Sequence, residues 1–302
     1  MMDAKANHAA GPWAWFNGEY RRESECAVPI ATHGLHYATA CFEGIRSYAR
    51  TDGGIAIFQL SDHVDRLYRS ADTLGMEIPF DREELTHVCA EIVSRNGFGD
   101  AYIRPLVFLG EPMSKFAKVN MRPSVAILAF PWSGIPEADR LAGRPAKISP
   151  IRRPKSLAQI YKAKASANYL LATMARNDAG RSGVSQSIFL DESGTVCEAI
   201  TDNLFFTRNG EVFTPSEDLP ILAGLTRKAV IRLLHSSGIT VHEGSYTVDE
   251  LLRSDEIFTT STSAGVVHIP SLDGNTVGGG RLGPIAAKAH ALFGSTVRSA
   301  PC

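Results

Sequence analysis

The chain has 302 residues, 44% of them hydrophobic, with 31 Lys and Arg against 32 Asp and Glu. A net charge near −1 leaves no basic footprint for nucleic acid and no acidic tail, and no run approaches the ~20 apolar residues of a membrane span. Length and apolar content suffice for a large core and predict two domains.

The start, Met1-Met-Asp-Ala-Lys-Ala-Asn-His8, lacks the apolar centre of a signal peptide. The cysteines (Cys26, Cys41, Cys89, Cys197, Cys302) lie far apart, are odd in number and form no CxxC. Reduced thiols and a cytoplasmic protein are expected. The histidines are scattered without HExxH or a comparable cluster, so no metal site is expected.

Residues 9–60 read as short strands and turns. Trp13-Ala-Trp-Phe-Asn-Gly18 ends in a turn signal, and Asp52-Gly53 precedes Ile55–Leu60. Between them, His33-Gly-Leu-His-Tyr37 through Phe42-Glu-Gly-Ile-Arg46 to Tyr48 crowds aromatic and charged residues together. It reads either as a packed strand with a glycine bulge or as a pocket wall. Ser61 reads as the N-cap of a helix from Asp62 to Leu74 that stops at Gly75, with the stripe Val64, Leu67, Tyr68, Ala71 and Leu74. Arg66 falls off that stripe, as a solvated helix charge would. Asp81-Arg-Glu-Glu84 resembles a capping box for a second helix, Arg82 to Arg95, closed by Asn96-Gly97. Ala101–Gly110 reads as a strand on which Tyr102 and Arg104 share one face. An arginine and a phenol so placed can bind a carboxylate, or simply form the polar side of a half-exposed strand. Ser124–Trp132 is continuous enough in apolar residues for a buried strand. Ser133–Gly143, polar and rich in Gly and Pro, reads as a linker. The expected division is a small domain over 1–132, a linker over 133–145 and a large domain over 146–302.

In the second half a Pro-bounded segment leads to Lys164, and a helix is expected from about Ala167 to Ala179, ended by Gly180 or Gly183. Gln186–Ala199 has the signature of a hairpin. Asn203–Pro215 is another, with Asn209-Gly210 suited to a type I′ turn. Thr226 starts a helix directly after Gly224-Leu225. Glu256–Ser261 is a strand running into small polar residues, Gly278–Gly280 a loop, and Ile285–Phe293 a closing helix. Helices alternating irregularly with hairpin strands predict α+β rather than a doubly wound sheet. GxGxxG after a strand, GxxxxGK[ST] and GxSxG are all absent.

Lys164, the acidic Glu198, the helix start at Gly224–Thr226, the hydroxyl-rich Thr259–Ser263 and Arg66 together form a set. A lysine for a Schiff base, a carboxylate for a pyridine nitrogen and several phosphate-binding groups are what a pyridoxal 5'-phosphate site requires.

Six blocks in order carry a resemblance: His33-Gly-Leu-His-Tyr37 with Phe42-Glu-Gly-Ile-Arg46, Tyr102-Ile-Arg-Pro105, Phe130-Pro-Trp132, Lys164-Ala-x-x-Asn-Tyr169, Glu198-x-x-x-x-Asn-Leu-Phe205, and Gly224-Leu-Thr-Arg227. The chain resembles the class IV (fold-type IV) pyridoxal phosphate aminotransferases, and most of all the branched-chain amino acid aminotransferases. The resemblance implies a two-domain α+β fold like that of the D-amino acid aminotransferases. It implies Lys164 as the catalytic Schiff-base lysine, with Lys162 out of register. It also implies Glu198 on the pyridine nitrogen, keeping it protonated, and Tyr169 on the cofactor's phenolic oxygen. The phosphate falls to Arg66, the backbone amides of Leu225 and Thr226, and Ser261 and Thr262. Tyr37, Phe42 and Trp132 would form an aromatic wall for the substrate side chain. Tyr102 and Arg104 would handle carboxylates, Arg104 that of glutamate's γ-position, and the α-carboxylate would meet amides near Thr262 and Ser263. The implied reaction is ping-pong exchange between L-leucine, L-isoleucine or L-valine and 2-oxoglutarate. Lys164, with a free-amine pKa of ~10.4, must be depressed to shuttle protons. A homodimer or higher homo-oligomer is implied as well.

Two blocks depart from the branched-chain pattern. Glu198-Ala-Ile-Thr-Asp-Asn203 lacks the two glycines of the usual Glu-Gly-x-Gly-Glu-Asn, and Thr260-Ser-Thr-Ser-Ala264-Gly265 replaces Ser-Gly-Thr-Ala-Ala. The second form resembles the D-amino acid and (R)-amine transaminases of the class. A transaminase of altered specificity, acting on those substrates or on a dedicated biosynthetic one, is therefore the alternative. An aminodeoxychorismate lyase fits less well, because of Tyr102-Ile-Arg-Pro105. A non-catalytic binding protein is opposed by the intact Lys164 and Glu198.

Overall fold

The computed structural model describes residues 11–50, 53–110 and 121–299. Met1–His8, Asp52 and Cys302, used above for leader, turn and thiols, lie outside the described residues. The chain divides into two compact units. The first comprises Met1–Ser133, Ala163–Ala167 and Val297–Cys302, the second Gly134–Lys162 and Asn168–Thr296.

In chain order the first unit contains β1 (Trp13–Phe16), β2 (Glu19–Arg22), α1 (His33–Tyr37), β3 (Ala40–Phe42), β4 (Ile45–Ala49), β5 (Ile55–Ile57), α2 (Leu60–Thr73), α3 (Arg82–Arg95), β6 (Ala101–Leu109) and β7 (Pro123–Pro131). The strands form an antiparallel sheet in the order β2-β1-β7-β6-β4-β5, with β3 also on β6. Along β6, Ile103 and Val107 enter a core with Val64 and Leu67 of α2 and Leu85, Val88 and Ile92 of α3. By strand alternation Tyr102 and Arg104 take the opposite face. The Asp81 side chain accepts the Glu84 amide at 2.7 Å, the N-cap its sequence predicted.

Two expectations in this unit are corrected. His33–Tyr48 is not one bulged strand but a short helix and two strands. The chain reverses at Ala38, whose φ is 54°, and His33 Nδ1 pairs with Thr39 Oγ1 at 2.7 Å to fix the turn. Helix α2 starts at Leu60, with Gln59 as a left-handed N-cap, so Ser61 lies inside the first turn. Drawing Leu60 into the core forces the earlier start.

The second unit contains α4 (Glu137–Ala142), β8 (Ala146–Arg153), α5 (Ala158–Lys162), α6 (Asn168–Arg181), β9 (Gln186–Asp191), β10 (Val196–Ala199), β11 (Asn203–Arg208), β12 (Glu211–Pro215), α7 (Leu225–Ser236), β13 (Val241–Gly244), α8 (Val248–Leu252), β14 (Glu256–Ser261), β15 (Gly265–His268), β16 (Ser271–Leu272), β17 (Asn275–Thr276) and α9 (Pro284–Arg298). Two five-stranded sheets run β10-β9-β8-β16-β17 and β13-β12-β11-β14-β15. Pairs β8–β9, β8–β16 and β12–β13 are parallel, the rest antiparallel, so the sheets are mixed. The fold is α+β with helices and mixed sheets, as expected.

Asn209 and Gly210 both take positive φ, 53° and 80°, the signature of the predicted type I′ turn. Arg227 is fully buried and ties α7 to the strands, its Nη2 donating to the Pro215 carbonyl at 2.8 Å and to Glu243 at 2.6 Å. Gly278, Gly279 and Gly280 all have positive φ, and a Cβ on Gly278 would run into the Asp255 carbonyl oxygen. A backbone atom cannot move aside as a side chain can. Gly278→Ala should therefore cost about 2 kcal/mol or more, read as a fall of several degrees in the thermal unfolding midpoint. Gly274→Ala, also at positive φ but facing open space, should cost less.

Candidate active site

In the first unit the segment Ala163–Ala167 lies antiparallel against β3. The Phe42 amide donates to the Lys164 carbonyl at 3.1 Å, and the Ser166 amide to the Ala40 carbonyl at 2.8 Å. The Lys164 amide in turn donates to Ser70 Oγ of α2 at 3.0 Å. With its backbone fixed on both sides, the lysine is aimed rather than left to sweep. Its Nζ stands 5.4 Å from the centre of the Phe42 ring. Lys162 ends α5 in the second unit and shares none of these contacts.

The same Phe42 ring carries Arg104, whose Cζ is 4.4 Å from its centre. Arg104 Nη2 donates to Tyr102 Oη at 3.4 Å, while its buried Nε has no hydrogen-bond partner. Tyr102 stacks on Phe130 with ring centres 5.3 Å apart. Its hydroxyl occupies the space a side chain on Gly44 would fill, which explains glycine there. Arg46 pairs in register with Tyr102, sends Nη2 to the Trp132 carbonyl at 3.3 Å, and also buries an Nε without a partner. Tyr37 stays apart from this group. It lies half-exposed on α1, packed on His33 with ring centres 4.6 Å apart.

β3 and β4 follow one register along β6, and between them Glu43 turns inward at 0% exposure. Its carboxylate accepts from Arg66 Nε at 2.6 Å, Arg66 Nη2 at 2.9 Å and His63 Nδ1 at 2.8 Å. Arg66 is therefore buried, not the solvated charge its place off the apolar stripe suggested. His63, Arg66 and Ser70 form a second, polar stripe on α2, made possible by Glu43. Burial alone would raise the Glu43 carboxyl. Arg66, by charge and hydrogen bond, and His63 outweigh it and hold the carboxyl well below the usual range. Burial pushes His63 below its ordinary value against the pull of Glu43, so the imidazole donates as a neutral ring.

In the second unit Glu198 sits on β10 where the pairing with β9 shifts register, an irregularity that re-aims a side chain. Its carboxylate accepts from Arg153 Nη1, from Asn203 Nδ2 at 2.8 Å and from the Leu222 amide at 3.2 Å. Arg153 also donates to the Pro220 carbonyl at 3.0 Å and packs over Tyr161 and Phe189. Asn203 gives its amide to the Leu222 carbonyl too, at 2.8 Å, and its Oδ1 fills the space beside Gly224. Gly224 is the N-cap of α7, where no side chain caps the helix and no acidic residue stands in the first turn. The Leu225 and Thr226 amides thus open a twelve-residue helix whose positive end favours negative charge. Asn203 pairs in register with Thr260 of β14, whose buried Oγ1 lacks a partner. Thr262 and Ser263 lie in the turn between β14 and β15, held by the Ala264 amide on Ser261 Oγ at 3.4 Å. Tyr169 is in the first turn of α6 and half-buried against the cluster that includes Phe189 and Ile221.

The structure thus gathers Lys164, Phe42, Tyr102, Arg104 and Arg66 in the first unit, and Glu198, Tyr169, Leu225, Thr226, Ser261, Thr262 and Ser263 in the second. Sequence reasoning assigned no role to Glu43, His63, Arg153 or Asn203. Glu43 and Asn203 stand inside quoted motifs, a signal that was available. Arg153 carries no local pattern, and His63 shows only as part of the polar stripe with Arg66 and Ser70. The two lost glycines leave no strain: Ala199 and Thr201 are both without positive φ, and Ala199 is fully buried.

Residues 40–272 match the family model of amino-transferase class IV. The branched-chain-amino-acid aminotransferase of Escherichia coli (strain K12) is 35% identical over 283 residues, covering 93% of this chain and 91% of its own length. A putative branched-chain-amino-acid aminotransferase of Methanocaldococcus jannaschii is 34% identical, over 92% of this chain and 94% of its own. Among solved structures, the T.th. branched-chain amino acid aminotransferase complexed with N-(5'-phosphopyridoxyl)-L-glutamate superposes with a TM-score of 0.88 at 34% identity, covering 96% and 95% of the two chains. The Thermoproteus uzoniensis enzyme with norvaline gives 0.89 at 33% identity, covering 95% of each.

The Glu43 cluster generates a pH prediction. A depressed carboxyl contributes stability that is present above its unfolded value and lost as pH falls below it. His63, neutral in the fold, adds the same sign below its ordinary pKa of ~6.5. Glu43→Gln leaves Arg66 buried without its counter-charge and should cost about 3–5 kcal/mol near neutral pH. Its unfolding midpoint should also fall less than the wild type's between pH 7 and pH 4. A variant equally stable at pH 7, or equally acid-labile, would remove the cluster from the account.

Proposed function

Because the chain belongs to the class IV aminotransferases, we propose that it moves the amino group of L-leucine, L-isoleucine and L-valine to 2-oxoglutarate. Pyridoxal phosphate is the cofactor and the kinetics are ping-pong. The observation that carries this reading is the single Phe42 ring with Lys164 Nζ at 5.4 Å and Arg104 Cζ at 4.4 Å. An amine thus stands beside a wall that offers an apolar surface and a guanidinium with an unspent donor. Such a wall suits an aliphatic side chain in one half-reaction and a carboxylate in the other.

The residues present fit the cofactor. Glu198 is a buried carboxylate set by three donors, suited to a pyridinium nitrogen. The uncapped start of α7 suits a phosphate, and the orphaned Thr260 Oγ1 marks polar space near Asn203. On this reading Leu225, Thr226, Ser261, Thr262 and Arg66 hold the phosphate, Tyr169 the phenolic oxygen and Glu198 the ring nitrogen. When bound, pyridoxal phosphate supplies the carbonyl that exchanges with an amino group and the electron sink for charge developing at Cα. Lys164 takes the proton from the substrate Cα and returns it, acting as base and then acid. Phe42 and Trp132 exclude water from the side chain, while Arg104 and Tyr102 orient the second substrate's carboxylate.

The exposed apolar residues Ile30 (88% accessible), Leu35 (64%) and Tyr37 (51%) cluster around α1 and support a homodimer, in which Tyr37 would serve a neighbouring copy's site. Cytoplasmic residence accords with the four described cysteines being free. Among the described residues no helix is long and apolar enough to cross a membrane.

The test is a half-reaction followed by the bound-cofactor absorbance. L-leucine should convert the wild type rapidly, whereas D-alanine and (R)-phenylethylamine should not. Conversion by either of those donors would assign the chain to the altered-specificity transaminases. Lys164→Ala should lose both turnover and the wild-type absorbance band. Arg104→Leu should lower kcat/KM for 2-oxoglutarate by about tenfold to a hundredfold, the worth of a charge-assisted hydrogen bond or two. Its leucine half-reaction should stay within about threefold. Equal losses for both substrates would show that Arg104 is structural.

A further inference from the structure

The stretch expected as a linker over 133–145 contains α4, and α4 lies along the outer edge of β15, the last strand of its sheet. Arg140 is the contact. Its Nη1 lies 3.2 Å from the Ala264 carbonyl, 3.4 Å from the Val266 carbonyl and 3.4 Å from His290 Nδ1, while Nε pairs with Glu137 at 3.2 Å. One residue pair further on, the Arg144 amide donates to the His268 carbonyl at 3.0 Å. Residues 264, 266 and 268 alternate along β15, so these donors satisfy the carbonyls that a neighbouring strand would otherwise take. Gly143, with φ of 73°, lies flush on the buried His268 imidazole, where a Cβ would come within 2.6 Å of the ring. The segment is therefore fitted to β15 at three successive points.

The first of those points belongs to the turn between β14 and β15. Ser261 and Gly265 close it, Gly265 has φ of 70°, and the Ala264 amide contacts Ser261 Oγ at 3.4 Å. We infer that Arg140 is a positioning residue for the turn Ser261–Gly265, fixing it through the Ala264 and Val266 carbonyls and thereby setting the affinity for the substrate's carboxylate. The inference rests on the reading above, which gives the amides near Thr262 and Ser263 to that carboxylate. A guanidinium suits the task because the two N–H groups of Nη1 match the two carbonyls while Nε faces Glu137. His290 serves as acceptor only when neutral, and burial and the nearby Arg140 both push it below its ordinary value.

The experiment compares the wild type with Arg140→Met and Arg140→Lys, each loaded with pyridoxal phosphate. Three readouts are taken: the Kd for 4-methylvalerate from the bound-cofactor absorbance, KM and kcat of the L-leucine half-reaction, and amide hydrogen exchange over residues 261–268. In Arg140→Met, Kd and KM should rise about tenfold, with kcat within twofold and faster exchange confined to 261–268. Arg140→Lys should recover part of the affinity, because an ammonium still reaches one carbonyl. Kd and KM within twofold of wild type in Arg140→Met would overturn the inference. So would a parallel loss of kcat and thermal stability, which marks a merely structural role. A wild type that shows no cofactor band would instead refute the proposed function, and hydrogen exchange on the unloaded protein would still decide whether Arg140 orders the turn.

Discussion

The ion pair between Glu43 and Arg66 is the constraint on which the first unit's site depends. Burying two charges costs several kcal/mol per ion unless geometry and further hydrogen bonds offset it. Here two guanidinium bonds and the His63 bond converge on one carboxylate with no exposure to water. That arrangement pins α2 to the junction of β3 and β4 on β6, and the residues around that junction position Lys164 and Tyr102. Phe42, one residue before Glu43, holds the Lys164 backbone. Gly44, one residue after, makes room for the Tyr102 hydroxyl. Ser70, one turn beyond Arg66 on α2, holds the Lys164 amide. A polar network that could have been replaced by packed aliphatics thus serves to place an amine, an aromatic wall and an arginine in fixed relation.

The second unit repeats this logic around Glu198. A buried carboxylate cannot be left to swing, and it cannot be packed like a leucine. Arg153, Asn203 and the Leu222 amide fix both oxygens, and the aromatic faces of Tyr161 and Phe189 hold Arg153 in turn. Asn203 does double duty. The same amide that fixes Glu198 also binds the loop leading to Gly224, and its oxygen leaves no room for any larger residue there. The carboxylate and the start of α7 are therefore set by one side chain.

Much of this was legible in the sequence where the determinant is local. Asp81 as a cap, Asn209-Gly210 as a type I′ turn and the face shared by Tyr102 and Arg104 all follow from rules spanning a few residues. Reading failed where the partner is remote. Arg66 looked solvated because its counter-charge lies 23 residues away on another element. Arg153 is 45 residues from Glu198 in a segment without periodicity. The start of α2 shifted because Leu60 belongs to the core, which no capping rule records. The stretch Ser133–Gly143 read as a linker because it is polar and rich in Gly and Pro, a pattern that says nothing of its order. Its order comes from carbonyls it satisfies on β15, and hydrogen-bond donors leave no hydrophobic pattern to read.

The departures from the branched-chain motif can be weighed by the same physics. Losing glycines matters when the backbone needs positive φ or when a side chain has no room. Neither holds after Glu198, where Ala199 is buried on β10 and Thr201 points to solvent. Asp202 is buried there instead, accepting from Gln186 at 2.9 Å and lying 3.6 Å from Arg144, while its carbonyl closes the turn onto the Ala199 amide at 2.9 Å. A buried carboxylate with those partners ties the turn to β9 and to Arg144. The path from Glu198 to Asn203 is thus kept by side chains rather than by glycine. Arg144 takes part at both ends of this arrangement, reaching Asp202 with its guanidinium and β15 with its amide. The residues just before β8 therefore support the turn after Glu198 and the edge strand β15 together.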